Sequence, residues 1–339
     1  MASILSQLLS RSAKQDVVKP GLRIVVVIPS RNEEKQIAET LTEIKGAFEK
    51  GQLGEPILLL TDDSTDRTRE IARSHGAHIV NGGGKGLGVA MYVGLKESLK
   101  FNPDVIVAYD ADGQVDPDEI PIFVAEIEND AADMILASRF CKEGLVQYDY
   151  PALNRFGTIV LSEILKGFTG LPLTDSHGGI RAMKPGVVRE LEMLGTHTYV
   201  QETIIDAAEK GFRIKELPSV WRKRTAGKSR VVGSIPTYVF YTLPILILRS
   251  KQHLKWLYTS GILLVATSML YFSFIFYQES FSIVGLIDRI PALLAVVLLS
   301  TTGIQLFFFG FILQLLKNIK YQVDKAAQDS HAVRVRGEN

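Results

Sequence analysis

A single cysteine, Cys141, stands among 339 residues. One thiol excludes an internal disulfide and any zinc site built on several cysteines, and it fits a reducing compartment. Charge of one sign is not in excess either: 38 Lys and Arg face 37 Asp and Glu, for a formal net charge of +1. No broad basic surface therefore speaks for nucleic acid as a partner. The six histidines are scattered. His75 and His78 lie close in sequence, but one falls at a helix end and the other in a strand, which argues against a zinc site. The HExxH, GxSxG and Cys–His patterns are absent. Neither an internal repeat nor a low-complexity tract occurs. The opening "MASILSQLLSRSAKQD" places Arg11 and Lys14 after its apolar patch, unlike a secretory signal. It reads as an amphipathic surface helix or a frayed end.

Charge is missing altogether from two stretches, Trp256 to Gln278 and Ile290 to Leu316. Each is long enough to cross a hydrocarbon core, which needs about 20 apolar residues. Only Glu279 to Arg289 separates them, so a helical hairpin is expected; a pair of buried core helices is the weaker alternative. Arg249, Lys251 and Lys255 precede the first run, and Lys317 and Lys320 follow the second. The connecting loop holds one basic residue, Arg289. By the positive-inside rule both ends face the cytoplasm.

Upstream, strands and helices alternate. "RIVVVIPS", "PILLLTDDSTD", "AHIV", "DVIVAYDADG" and "DMILASRF" read as strands. Between them, "EEKQIAETLTEIKGAFEK" carries Ile37, Leu41, Ile44 and Phe48 at helical spacing, and "RTREIARSHG", "GVAMYVGLKESLK" and "PDEIPIFVAEIEN" also read as helices. Such alternation predicts an α/β fold, a mostly parallel sheet covered on both faces. Ligands of these sheets bind beyond the carboxyl ends of the strands. The polar clusters gather there: Arg31, Asn32 and Glu33 after the first strand, Asp62 and Asp63 after the second, Asp110 and Asp112 after the fourth. Residues 141 to 231 are less regular, with helices expected near Phe156–Leu165 and Gln201–Lys210. "SIPTYVFYTLPILILR" is apolar but interrupted by Pro236 and Pro244, and reads as helices lying in the membrane interface. The expected segments are residues 1–22, a catalytic domain over 23–231, interfacial helices over 232–252, the hairpin over 253–317 and a tail over 318–339.

Asp110 and Asp112 flank one small residue, so on an extended chain they point the same way. Burying a carboxylate is costly unless something pairs with it. Two oxygen donors so placed suit Mg2+ or Mn2+, which complete their shell with substrate phosphates. A simple Asp–Gly turn is the alternative. "GGGKGLG" at 82–88 is not a phosphate loop, because Gly86 follows Lys85 where Ser or Thr is required. It reads either as a flexible loop or as backbone approaching a ligand, with Lys85 near anionic groups. Asp66 is placed to cap the next helix, and Asp62 to accept a hydrogen bond from a nucleobase. The cluster Arg222, Lys223, Arg224, Lys228 and Arg230 suits anionic headgroups, a phosphate clamp, or both. Glu202 reads as a first-turn acid favoured by the helix dipole or as a carboxylate facing the crevice.

Taken in order and spacing, "VVVIPSRNEE", "DDSTDRT", "KGLGVA", "YDADGQ" and "ASRF" resemble glycosyltransferase family 2. The likeness is closer to the dolichol-phosphate mannosyltransferases and related polyisoprenyl-phosphate glycosyltransferases, and runs from about Arg23 to Gly233 and into the hairpin. It implies a GT-A type, Rossmann-like fold and an inverting transfer from a nucleotide-diphosphate sugar, GDP- or UDP-linked, to a dolichyl or undecaprenyl phosphate. By position, Pro29, Arg31, Glu33, Asp62 and Lys85 would line the donor site. Asp110, Asp112 and Gln114 would hold the metal and the donor diphosphate. Arg139 and Arg155 match arginines that meet the acceptor phosphate. Arg224, Gly227, Ser229 and Arg230 match the family's Arg-x-x-Gly-x-Ser-Lys loop, with Arg in the last place. Arg224 and Arg230 would serve the donor, with Arg224 at the departing diphosphate, and Ser229 would serve the acceptor.

"DGQVDP" and "TDSHGGIRAMK" depart from the mannosyltransferase pattern and turn the expected sugar toward glucose or N-acetylglucosamine. Three rivals stay open: transfer to a polysaccharide or glycolipid, binding of a nucleotide sugar without catalysis, and nucleotidyl transfer. A homo-oligomer is compatible with all of them.

Overall fold

The computed structural model describes residues 21–193, 199–223 and 253–337. Segment 1–20, the expected interfacial helices over 232–252, and Arg224, Gly227, Ser229 and Arg230 lie outside the described residues. The chain divides into two units, Met1–Leu246 and Ile247–Asn339.

The first unit is built on a seven-stranded sheet: β1 Ile24–Ser30, β2 Ile57–Asp62, β3 His78–Asn81, β4 Val105–Tyr109, β5 Met134–Ser138, β6 Ile180–Met183 and β7 Ile214–Pro218, in the order β3-β2-β1-β4-β6-β5-β7. Every pairing is parallel except those of β6, which runs antiparallel between β4 and β5. Alternation along β1 sends Ile24, Val26 and Ile28 into one core and Val25 and Val27 into the other. The first core is closed by α1 (Ile37–Lys50), α2 (Thr68–Ser74) and α4 (Ile120–Glu128), with Ile37, Leu41, Ile44 and Phe48 all buried. The second is closed by α3 (Leu87–Ser98), α5 (Ala152–Thr169), α6 (Pro185–Glu190) and α7 (Val200–Glu209). Strands buried on both faces read as continuous apolar runs, which is why β1, β2, β4 and β5 are visible in the sequence; β3, exposed at His78 and Asn81, shows through the alternation of strands and helices.

In the second unit α8 (His253–Gln278), α9 (Ile283–Ile287) and α10 (Ile290–Gly337) form a hairpin, and α10 continues through the segment expected as a tail. Glycines set the contact between its long arms. A Cβ on Gly261 would lie 2.7 Å from the Gly303 carbonyl oxygen, and one on Gly303 equally close to that of Gly261. Small residues of this kind let two helix backbones approach closely. Ser268 Oγ donates to the Val296 carbonyl at 2.9 Å, and Tyr258 hydroxyl to Gln314 Oε1 at 3.2 Å. Leu254–Gln278 (25 residues) and Ile290–Leu316 (27 residues) are long and apolar enough to cross a membrane. Only 17% and 6% of their most apolar stretches are buried within the protein. A core helix of a soluble domain hides its apolar surface; these leave theirs outward.

Candidate active site

Register brings the polar strand ends level. Ser30 of β1 pairs with Asp62 of β2, and Asp62 with Asn81 of β3. Beyond β1, Arg31 and Asn32 are exposed and Glu33 is half-buried, while Pro29 is buried inside the strand. The β1 and β2 exits are tied together: Asn32 N donates to Ser64 Oγ at 2.8 Å, Thr65 N to Asn32 Oδ1 at 2.9 Å, and Glu33 N to Thr68 Oγ1 at 2.9 Å. Asp62 is 1% exposed. Its Oδ2 accepts from Arg69 Nε at 3.0 Å and its Oδ1 from Ser64 N at 3.3 Å, so the burial is compensated by a charge-assisted pair. Asp66 accepts from Thr68 N at 3.0 Å at the start of α2. The glycine loop is latched to the same edge, Gly84 N donating to Asp63 Oδ1 at 2.9 Å, with Lys85 exposed beside it.

Asp110 and Asp112 follow β4, both half-buried. Gln114 N donates to Asp112 Oδ1 at 3.1 Å, a local turn that orients one oxygen of that carboxylate. Tyr199, at the N-terminus of α7, donates its hydroxyl to Asp110 Oδ1 at 3.4 Å. Burial first, and then the Asp110 carboxylate, push the Tyr199 phenol well above its ordinary range, so it remains a donor. Gly179 sits just before β6, and a Cβ there would lie 3.3 Å from Asp110 Oδ2 and 3.1 Å from the Trp221 ring. Among the described residues no group of three or more His, Cys, Asp and Glu is arranged to hold a metal by itself. Two carboxylates fit a hard cation that takes the rest of its shell from water and phosphate.

A second cluster lies at the β5 exit. Arg139 is 4% exposed and forms a bidentate pair with Asp175, Nε to Oδ2 at 2.6 Å and Nη2 to Oδ1 at 2.8 Å. Burial alone would lower the arginine pKa and raise that of the acid; their mutual attraction outweighs it, and both stay charged. The Trp221 ring covers the guanidinium at 4.4 Å, a cation–π contact. Phe140 brings Arg139 and Arg155 together, its ring centroid 5.1 Å from the first and 5.8 Å from the second guanidinium. Arg155, on α5, is exposed and has no acidic partner among the described residues. Trp221 is stitched to the Asp112 turn by a bridge to Val115, and Arg222 N donates to the Gln114 carbonyl at 2.7 Å. Arg222 also pairs with Asp116. Glu202 occupies the first turn of α7 and is buried.

Sequence reading had not found Asp175, Tyr199, Gly179 or Trp221 in these roles. Asp175 and Gly179 belong to the stretch singled out only as a departure from the family pattern, and Trp221 lay unremarked at the head of the basic loop.

Residues 25–192 match the description "Glycosyl transferase family 2". An uncharacterized glycosyltransferase from Mycobacterium bovis is 31% identical over 216 residues, covering 63% of this chain and 92% of that relative. The chain belongs to glycosyltransferase family 2. It is a glycosyltransferase with a GT-A like fold. A dolichyl-phosphate hexose transferase from Haloferax volcanii is 29% identical over 210 residues, 61% of this chain and 86% of that protein. Among solved structures, glucosyl-3-phosphoglycerate synthase from Mycobacterium tuberculosis, in complex with Mn2+, UDP and phosphoglyceric acid, superposes with a TM-score of 0.51. It is 18% identical and covers 72% of this chain and 82% of the other; that likeness concerns the fold.

Proposed function

We propose that this glycosyltransferase moves a hexose, glucose or N-acetylglucosamine, from a nucleotide-diphosphate sugar to a polyisoprenyl phosphate, with inversion at the anomeric carbon. The observation that carries the reading is the meeting, along one sheet edge, of a paired-carboxylate turn and an arginine–aromatic cluster. The Haloferax relative, named for transfer to dolichyl phosphate, supports the acceptor class.

The donor nucleotide lies against the β1 and β2 exits, with Asp62 held in place by Arg69. Asp110 and Asp112 would hold Mg2+ or Mn2+, with Gln114 beside them, and such a cation would supply positive charge opposite the diphosphate. Tyr199 and the turn at Gln114 fix the two carboxylates so that little rearrangement accompanies the reaction. On the acceptor side, exposed Arg155, which has no acidic partner among the described residues, offers a positive charge. Arg139, neutralised by Asp175, holds Phe140 and Trp221 in place at the same edge. A phosphate monoester has a second pKa near ~6 and is largely a dianion at neutral pH. It attacks without a strong base, so the site needs chiefly to align nucleophile and sugar. By the family likeness, Arg224 and Arg230 would serve the donor and Ser229 the acceptor. Both ends of the hairpin face the cytoplasm, as the flanking Lys and Arg imply.

The test is transfer in detergent with polyprenyl phosphate, Mn2+ and a panel of labelled nucleotide sugars, counting label in the organic phase. Label from one donor, lost in Asp112→Ala, is expected. Folded protein that transfers no label from any donor, or an Asp112→Ala variant as active as the parent, refutes the proposal.

A further inference from the structure

Helix α5 is two different helices in its packing. Its C-terminal half closes the second core with Leu165, supported by Leu161, Ile164 and Phe168. The first half carries a bare apolar stripe. Leu153 is 62% exposed, Phe156 65%, Ile159 45% and Val160 40%. These positions share one side of the helix, opposite Thr158 and Ser162, which are buried. Soluble surfaces scatter such side chains singly; a contiguous group marks a contact.

We propose that the N-terminal half of α5 is a membrane-facing surface, its apolar stripe sinking into the headgroup layer of the bilayer with Arg155 held at phosphate depth. This rests on the bilayer anchoring assumed in the proposed function. Three observations favour lipid over a protein partner. First, the stripe is edged by Arg155, which has no acidic partner among the described residues, and an apolar face with a cationic border is the pattern of interfacial helices. Second, four half-exposed side chains offer on the order of 400 Å², about half of the roughly 800 Å² that each side of a stable protein interface buries. Third, the same chain carries two helices long and apolar enough to cross a membrane, with their apolar surfaces facing outward, so the protein would meet lipid without any partner. The arrangement gives Arg155 a purpose: the stripe sets the arginine at the depth where a lipid phosphate lies.

The experiment uses the full chain in vesicles, in a Cys141→Ser background, with one environment-sensitive fluorophore at a time on Phe156→Cys, Leu298→Cys of α10, or Glu70→Cys of α2. Glu70 is exposed on the opposite face of the sheet. Nitroxide quenchers are carried on lipid headgroups or acyl chains. Quenching at 156 several-fold stronger than at 70, together with quenching at 298, is expected. Quenching at 298 with position 156 behaving like position 70 overturns the inference and leaves the anchoring intact. Quenching at neither overturns both. Shielding of 156 from aqueous iodide without lipid quenching, retained in detergent micelles, means that protein covers the stripe, and also overturns the inference.

Discussion

Replacing Glu119 with glutamine should remove a pH dependence built into the frame of the site. The side chain lies where α4 begins, 1% exposed, and its Oε1 accepts from Val220 N at 2.6 Å. That bond holds the segment leading into Trp221 and Arg222. Burial pushes the Glu119 carboxyl from 4.5 up to about 8, against the smaller opposing pull of the Val220 N hydrogen bond. The sign follows from proton counting. Between pH 4.5 and about 8 the folded protein keeps a proton that the unfolded chain has released, so stability is full below 4.5 and is lost as pH rises through about 8. At about 1.4 kcal/mol per unit, the loss between pH 5 and pH 8 is roughly 3–4 kcal/mol. Glutamine is the neutral isostere: its carbonyl oxygen accepts from Val220 N at every pH. Urea unfolding in detergent, followed by tryptophan fluorescence from pH 5 to 9, measures both proteins. Near-equal stability at pH 5 and an advantage of about 3 kcal/mol for Glu119→Gln at pH 8 are expected. An offset that stays constant across the range would refute the buried neutral carboxyl.

Asp110→Asn and Asp112→Asn should each leave the fold intact by circular dichroism and lower turnover by at least about 100-fold, since on the proposed assignment each removes an anionic ligand of the cation. Arg155→Ala should raise the apparent KM for lipid phosphate more than that for the donor; equal effects would count against an acceptor role. Asp175→Asn strands the Arg139 charge in a buried place and should cost about 3–5 kcal/mol in denaturant unfolding. A loss under about 1 kcal/mol, the range of exposed pairs, would mean that the pair is solvated.

The carboxylates at 110 and 112 were legible because an apolar run that ends in acids is rarely tolerated without a partner. β1, β2, β4 and β5 were legible for a related reason: burial on both faces leaves little room for polar residues, while β3, exposed at His78 and Asn81, was legible from its place in the strand–helix alternation. The other two strands were not. β6 has four residues, one of them the buried Arg181, whose Nη1 donates to the Val200 carbonyl at 2.8 Å. No period-two signal survives in so short a stretch with a charge inside it. β7 is an edge strand whose polar residues have their own partners, Lys215 with Glu126 and Glu216 with Thr174. Contacts made across the fold were equally hidden: Arg139 and Asp175 are 36 positions apart, Tyr199 and Asp110 are 89 apart. Spacing arguments reach neighbours on one element, and these pairs exist only once β6 has reversed between β4 and β5.

That reversal has a consequence for how such an enzyme changes. A parallel strand offers the working edge its exit; β6 offers its entrance, with Ile180 opposite Tyr109. The loop from Thr174 to Gly179 therefore reaches the reaction zone from the far half of the chain, while β1, β2 and β4 deliver theirs from the near half. On the proposed assignment, the near half recognises the nucleotide and the far half, with α5, recognises the lipid. Exchange of one continuous piece, from the β5 exit to the β6 entrance, alters acceptor choice while the donor side is inherited unchanged. Donor and acceptor preference become separately heritable traits, joined at the narrow seam where Gly179 passes Asp110.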